Sequence, residues 1–573
     1  MGCTDKNPQN LKRQWVKGSD IEDEENDQVK RNKSEQPVKL ILVTGGVISG
    51  VGKGIISSSI GLLLKANGYR VSAIKIDPYL NPDAGTMSPH EHGEVFVLDD
   101  GGEVDLDLGN YERFLNVSLT RDNNITTGKI YRKVFQKERK AITRVAAIPV
   151  DGSGKRPHVC IVELGGTIGD DEGKQYYSAF DTYKRRTHRD QLMVVHVSHL
   201  LDPKSTGEVK TKPMQNGIKQ LRAEGLNPDL LVCRSEKPLA PHHKEKITDV
   251  GQLDLEQVIG VHDVSNIYKV PLLLNEQNVL GAIISKLKLP PVDPSHSNPN
   301  MYQWTQLSNL TDSPTTVCRI ALVGKYMRIK DAYVSVNKAL HHAAIHVNRK
   351  LVIEYVSSED LEDGANSEAR VKAWKTIEES NGIVVPGGFG DRGIEGMILA
   401  CKYAREYKIP YLGICLGMQC AAIEYARNVC GIENANSIEF DEKLDKSKQV
   451  VIDMPEHCAA THGRGASMRL GRRRTVFLTE ESKLRYLYGA GAVEERHRHR
   501  YERDSKTAVR MEMIEMKDHP YFVGVQFHPE YRSTNFKPSP AFLGLLLAAS
   551  GQLDGYMRGK NPTPMETLAK QQA

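Results

Sequence analysis

Long apolar runs are missing from this chain. Nowhere in its 573 residues do apolar side chains follow one another for the roughly 20 positions that a membrane-spanning helix needs, so no membrane span is expected. Cysteine is sparse too: nine are scattered at irregular spacings with no CxxC pair, which excludes a disulfide framework and points to reduced thiols and a cytoplasmic location. A surplus of one charge is also lacking, since 77 basic residues face 72 acidic ones. That balance argues against a surface built to coat nucleic acid and leaves phosphorylated small molecules open as ligands. The start has no apolar segment of the kind a cleavable signal requires. Met1-Gly2-Cys3 resembles a lipidation start, but Lys6 stands where that pattern wants Ser or Thr. No repeat of fixed period is present.

What is there reads as a soluble globular chain, 39% hydrophobic and 26% charged, long enough for two core domains. Residues 1–37 form a polar extension, with an acidic run from Asp20 to Asp27 and a basic one from Lys30 to Lys33, and are expected to be disordered. Strand-like runs at 39–43, 159–162, 192–195 and 230–233 alternate with helix-like segments over 38–287, the pattern of a parallel α/β sheet. Pro290, Pro291 and Pro294 break it, so 288–315 reads as a linker. A second alternating set, with strands near 317–323, 382–385 and 410–414, fills 316–550, and a polar tail occupies 551–573. The expected architecture is two doubly wound α/β domains.

In the first domain Thr44 to Gly54 lies between a strand and a helix, where backbone N–H groups, a helix N-terminus and Lys53 can surround a polyphosphate. It departs from the usual phosphate loop: five residues separate Gly46 from Gly52, and Gly54 replaces the hydroxyl residue that would meet magnesium. Alone it could be an ordinary glycine turn. Lys75, however, closes a second strand at the edge where ligands bind in open α/β sheets. The acidic stretch Asp99 to Asp107 follows, and Glu163 ends another strand, so carboxylates able to hold magnesium with ATP stand beside the loop.

The sequences GVGKGI, KIDPY, DLDLGNYERF and ELGGTIGD together resemble the synthetase domain of the CTP synthase family, whose fold is P-loop-like and similar to dethiobiotin synthetase. The resemblance implies ATP contacts at Gly50, Val51, Gly52, Lys53, Gly54, Ile55, Lys75 and Asp107, with the adenine against His262, Asp263 and Val264. It implies magnesium at Asp107 and Glu163. UTP would meet Ser49, Lys210, Thr211, Lys212, Pro213, Met214, Gln215 and Lys246, and Asp170, Asp171 and Glu172 would contact CTP as feedback inhibitor. Met214 stands where the family usually has threonine, so one hydroxyl contact is expected to be lost. The chain is shorter than the family's after Lys140 and again after Glu502, and it diverges at Asp171.

In the second domain Gly413 to Gln419 has the form of a nucleophile elbow presenting Cys415. An isolated buried cysteine would be a packing residue. Here Gln526-Phe527-His528-Pro529-Glu530 follows a strand-like run, so His528 can exchange the thiol proton and Glu530 can orient the imidazole. Pro386 to Gly390 offers glycine N–H groups, and Gly387 with Leu416 is the expected oxyanion pair. This half resembles the class I glutamine amidotransferases, and PGGFG, GICLGMQ and HRHRYE again match the CTP synthase family. That resemblance implies glutamine contacts at Gly388, Leu416, Gly417, Met418, Gln419, Glu439 and Arg500, and a lid at 465–471 near a GTP effector site.

The implied activity is ATP-dependent amination of UTP to CTP with ammonia from glutamine, by a homotetramer able to stack into filaments. GTP would activate it, and Pro89, His92 and Val95 would line an ammonia passage. Two alternatives stand beside this: another glutamine-dependent amidoligase, such as a cobyrinate amidase, and a catalytically impaired regulatory or filament-forming homologue.

Overall fold

The computed structural model describes residues 37–81, 83–86, 93–132, 138–201, 209–295, 299–327, 329–453, 468–503, 510–559 and 562–566. The polar extension, Pro89, His92, and 465–467 of the expected lid lie outside them. Among the described residues no helix is long and apolar enough to cross a membrane.

Among the described residues nine strands belong to the N-terminal half: β1 (Lys39–Gly45), β2 (Val71–Asp77), β3 (Phe96–Val97), β4 (Glu103–Val104), β5 (Asn124–Thr126), β6 (Val159–Leu164), β7 (Leu192–His199), β8 (Leu230–Ser235) and β9 (Val258–His262). Seven of them form one sheet in the order β5-β2-β6-β1-β7-β8-β9, and every pairing is parallel. Near-continuous apolar runs such as LILV in β1 fit this arrangement, because helices cover both faces. All strands end at one edge, so the loop after β1 opens beside the ends of β2 and β6.

The C-terminal half adds β10 (Val317–Gly324), β11 (Lys350–Ser357), β12 (Gly382–Val385), β13 (Tyr411–Ile414), β14 (Asn436–Ser437), β15 (Gln449–Asp453), β16 (Arg469–Val476), β17 (Ala492–His499), β18 (Tyr501–Arg503), β19 (Met513–Glu515) and β20 (Phe522–Val525). Its main sheet runs β11-β10-β12-β13-β20-β19, parallel except for the edge pair β19 and β20. Cys415 follows β13 and His528 follows the adjacent β20, so one sheet edge brings together residues 113 positions apart.

The segment read as a linker contains a packed helix, Met301–Asp312, started by an Asn300 and Gln303 capping box. Trp304 is fully buried against Phe114, 5.0 Å away between ring centroids, and its indole N–H donates to the Tyr268 carbonyl at 2.8 Å. Prolines mark only the start of this connection; the helix that follows packs against both halves, with Phe114 and Tyr268 on one side and Ile345 and Phe536 on the other.

Candidate active sites

At the first sheet edge the phosphate loop ends in helix Lys53–Ala66, which has no acidic residue in its first turn and no side-chain cap. Its first N–H groups remain for an anion. Lys53 is buried, its ammonium donates to the Gly166 carbonyl at 2.9 Å, and burial lowers its pKa. Lys75 lies between Asp107 Oδ2 at 2.5 Å and Glu163 Oε1 at 2.7 Å. Burial works against its charge, but the Asp107, Glu163 and Asp77 carboxylates outweigh that and hold its pKa well above the ordinary lysine value. Glu163 is raised by burial against the pull of Lys75, and its other oxygen accepts from the Tyr111 hydroxyl. Burial raises Asp77 to about 8.

The departure at Gly54 has a structural cause. A Cβ there would lie 2.6 Å from Asp107 Oδ1, so the carboxylate takes the space that a serine or threonine side chain would need. Asp107 and Glu163 thus offer a pair of hard oxygen donors beside the loop, the set magnesium takes while phosphates fill its other positions.

The expected nucleotide residues spread around this edge. Ser49 and Gly50 are exposed on the loop, and Val51 is buried beneath it. Asp263 pairs with Arg234 at 2.8 Å, His262 is half-buried at the end of β9, and Lys246 is exposed on helix Pro241–Gly251. Asp170 accepts from the Thr167 N–H and hydroxyl, Asp171 pairs with Lys174 at 2.5 Å, and Glu172 is exposed. Of the expected UTP contacts, Lys212 to Gln215 open a helix, Lys212–Ala223, with Pro213 in its first turn. Met214, Ile218 and Leu221 are spaced for one face of that helix, and all three are buried. Met214 packs with Leu200, Ile218 and Leu231, so its thioether faces the core. Gln215 donates to the Thr211 hydroxyl at 2.9 Å.

At the second edge Cys415 sits at φ 52° and ψ −103°, a strained conformation for a residue bearing a Cβ. Helix Leu416–Asn428 begins immediately after it, and the Cys415 N–H is tied to Val525 O at 2.7 Å. The sulfur accepts from Gln526 Nε2 at 3.5 Å. His528 Nδ1 lies 2.7 Å from Glu530 Oε1, while its buried Nε2 has no hydrogen-bond partner. Burial opposes its protonation, yet the Glu530 carboxylate and the adjacent Cys415 raise His528 to about 10, which favours an imidazolium able to stabilise a thiolate. A Cβ on Gly387 would lie 2.8 Å from His528 Cε1 and 3.5 Å from Cys415 Cβ, so only glycine fits this approach. These groups line a cavity of about 60 Å³.

Among the expected glutamine contacts, Gly388 lines that cavity, and Glu439 accepts from the Gly390 N–H at 3.2 Å. Arg500 and Arg498 lie over the Phe389 ring at 5.9 Å and 5.1 Å. Gln419 points elsewhere: its amide donates to Tyr501 O and Gln526, which makes it a brace for the site. Met418 is buried behind the elbow, and Gly417 lies in the first turn of its helix. His497 and His499, on β17 in the HRHRYE motif, are buried and hydrogen-bonded to each other at 3.1 Å, with Glu512 alongside and held by Arg469.

Several residues at the seam between the halves were not singled out from sequence. Arg496, 3% exposed, donates to Asp99 at 2.6 Å, Val97 O at 3.1 Å and Glu112 at 2.8 Å, while its own carbonyl accepts the His528 N–H at 2.8 Å. Tyr531 stacks on His528 and donates to Val95 O at 3.1 Å. Lys325 is buried and donates to the Phe389 and Gly390 carbonyls. Tyr111 was within reach, since it lies in the DLDLGNYERF motif.

Comparison with known proteins places both halves. The family model described as CTP synthase N-terminus matches residues 39–289, and that described as glutamine amidotransferase class-I matches residues 328–548. CTP synthase 1 of Homo sapiens is 49% identical over 574 residues, covering 93% of this chain and 96% of the human one. CTP synthase 1 of Danio rerio is 50% identical, covering 91% of this chain and 94% of its own. A solved Trypanosoma brucei CTPS glutaminase domain with bound acivicin is 37% identical over 41% of this chain and 95% of that one, with a TM-score of 0.38.

Proposed function

The chain belongs to the CTP synthase family, the glutamine-hydrolysing ligases that make CTP, and from that premise we propose how its residues divide the reaction. Loop residues Gly50 to Ile55 with Lys53 and Lys75 hold the ATP phosphates. The γ-phosphoryl group passes to the uracil O4 of UTP, leaving ADP and turning a poor leaving oxygen into a good one. Lys53 and Lys75 spread the charge that develops during the transfer. Asp107 and Glu163 would hold magnesium, which when bound neutralises phosphate charge. Ammonia then attacks C4, phosphate leaves, and CTP results.

Ammonia comes from the second site. The Cys415 thiolate attacks the glutamine amide carbon, the Gly387 and Leu416 N–H groups face the developing oxyanion, and His528 gives its proton to the departing nitrogen. Water then hydrolyses the thioester to glutamate. The observation that carries this half is the strained Cys415 beside the His528–Glu530 pair. The remaining family traits belong to the same reading: UTP at Ser49, Lys210 to Pro213, Gln215 and Lys246, CTP as inhibitor at Asp170 to Glu172, GTP as activator, a cytoplasmic homotetramer, and filaments. No observation favours the catalytically impaired alternative.

The test assays CTP formation from UTP and ATP with glutamine and, separately, with ammonia, in the parent and in Cys415→Ala. The glutamine-driven rate should fall by on the order of 10³-fold or more. The ammonia-driven rate should stay within about twofold, because ammonia enters after the thioester step. Equal glutamine-driven rates in both proteins would contradict the assignment of Cys415, and a parent inert with ammonia would contradict UTP amination.

A further inference from the structure

The cavity at Cys415 is closed partly by the other half of the chain. Glu94 and Val95 line it together with Val336, Cys415, His528 and Tyr531. Its volume of about 60 Å³ holds a molecule the size of ammonia or water.

Among the described residues Glu94 is the one carboxylate that the N-terminal half contributes to that lining, and it is 7% exposed. Its Oε2 accepts from the Ser335 N–H at 2.8 Å and the Ser335 hydroxyl at 2.7 Å, and that hydroxyl accepts in turn from Arg113 at 2.8 Å. Ser335 belongs to helix Val334–His346, and Lys338 lies one turn further along it. Lys338, half-buried, donates to the Asn110 side chain, whose amide donates to Asp107 Oδ1 at 3.2 Å. Asp107 holds Lys75. One helix of the glutaminase half therefore carries polar groups that reach from the cysteine cavity to the phosphate loop.

We propose that Glu94 is a positioning residue for released ammonia: fixed across the seam by Ser335, its carboxylate accepts a hydrogen bond from ammonia leaving Cys415 and directs it along helix Val334–His346 toward Asn110 and Asp107. Ammonia has three N–H donors, and a carboxylate held by two bonds on one oxygen keeps acceptor capacity on the other. Burial also raises the Glu94 carboxyl to about 7, above the ordinary carboxylate range. This inference rests on the glutamine-driven amination proposed above.

The test compares glutamate released with CTP formed in the parent, Glu94→Gln and Glu94→Ala. Glutamine can still accept the Ser335 bonds, but its amide places a donor where the second carboxylate oxygen was. Both variants should release at least about threefold more glutamate per CTP than the parent, with glutamine hydrolysis and ammonia-driven synthesis each within about twofold. A parent-like ratio in Glu94→Gln would overturn the inference, since Glu94 would then only seal the seam. Loss of ammonia-driven synthesis in both variants would overturn it as well, by making Glu94 a support of the first site. A parent that forms no CTP from ammonia would overturn the underlying reading and the role of Glu94 with it, an outcome distinct from a parent-like ratio in Glu94→Gln.

Discussion

The two sheet edges are built on different principles: the C-terminal site stores strain, and the N-terminal site stores charge. Cys415 is held at φ 52° on a sharp turn, so its reactivity is set by backbone geometry and a single imidazole–carboxylate pair. Lys75 instead lies among Asp77, Asp107 and Glu163, all within 4.0 Å, with Lys53 close behind. Covalent catalysis needs one nucleophile aimed in advance, whereas phosphoryl transfer needs many charges arranged around a polyanion. The first kind of site fails when an atom is removed. The second should fail equally when one is added.

Gly54→Ala tests that contrast most sharply. The added methyl would lie 2.6 Å from Asp107 Oδ1 and force the carboxylate away from Lys75. Ammonia-driven CTP formation should fall by about 10²-fold, the usual cost of displacing a reacting group by an ångström. Glutamine hydrolysis should remain within about twofold, since Cys415, His528 and Glu530 stand at the other sheet edge. An unchanged ammonia-driven rate would mean that Asp107 needs no fixed position, and the charge-built description of this edge would fall.

The same contrast explains what could be read in the sequence. The strands, the elbow at Cys415 and the His528–Glu530 pair are local patterns, each legible within a few residues. The polar segment 210–215 misleads because its lysines are local while the apolar partners of Met214, such as Leu200 and Leu231, are not. Prolines announced a break near 290, yet the helix carrying Trp304 follows it, since burial against Phe114 and Tyr268 depends on residues far away in sequence. Arg496 lies beside a run that reads as basic surface; its partner Asp99 is 397 residues away, and no spacing rule connects them. The seam between halves was therefore the least visible part, and it is where Glu94 and Arg496 act.

A second prediction probes the strain-built site through its one charged pair. His528 in the folded protein titrates at about 10, above the ordinary value of about 6.5 that it would have unfolded. Its protonated form therefore adds stability that is complete below about pH 6.5 and is lost as pH rises through about 10. In Glu530→Gln the carboxylate that raises it is gone. The parent should exceed the variant by about 1.5–3 kcal/mol at pH 6, with the gap narrowing toward pH 10. Urea midpoints of the glutaminase transition at several pH values measure this. A gap constant across that range would mean that Glu530 acts by packing and not by charge.

The smallest expected effect lies in the charge-built half but away from its charges. Met214→Thr introduces the threonine that the family resemblance leads one to expect here, so a contact with the pyrimidine would predict a lower KM for UTP. The geometry points the other way, because the Met214 side chain is wholly buried beside Leu200, Ile218 and Leu231. A shorter side chain would leave a small void, and its hydroxyl can return a hydrogen bond to the helix carbonyl one turn back. The expected outcome is a stability loss of about 1 kcal/mol with KM for UTP changed by less than about twofold. A tenfold fall in KM at unchanged stability would place this side chain against the nucleotide, and the helix from Lys212 would have to turn a different face to the site.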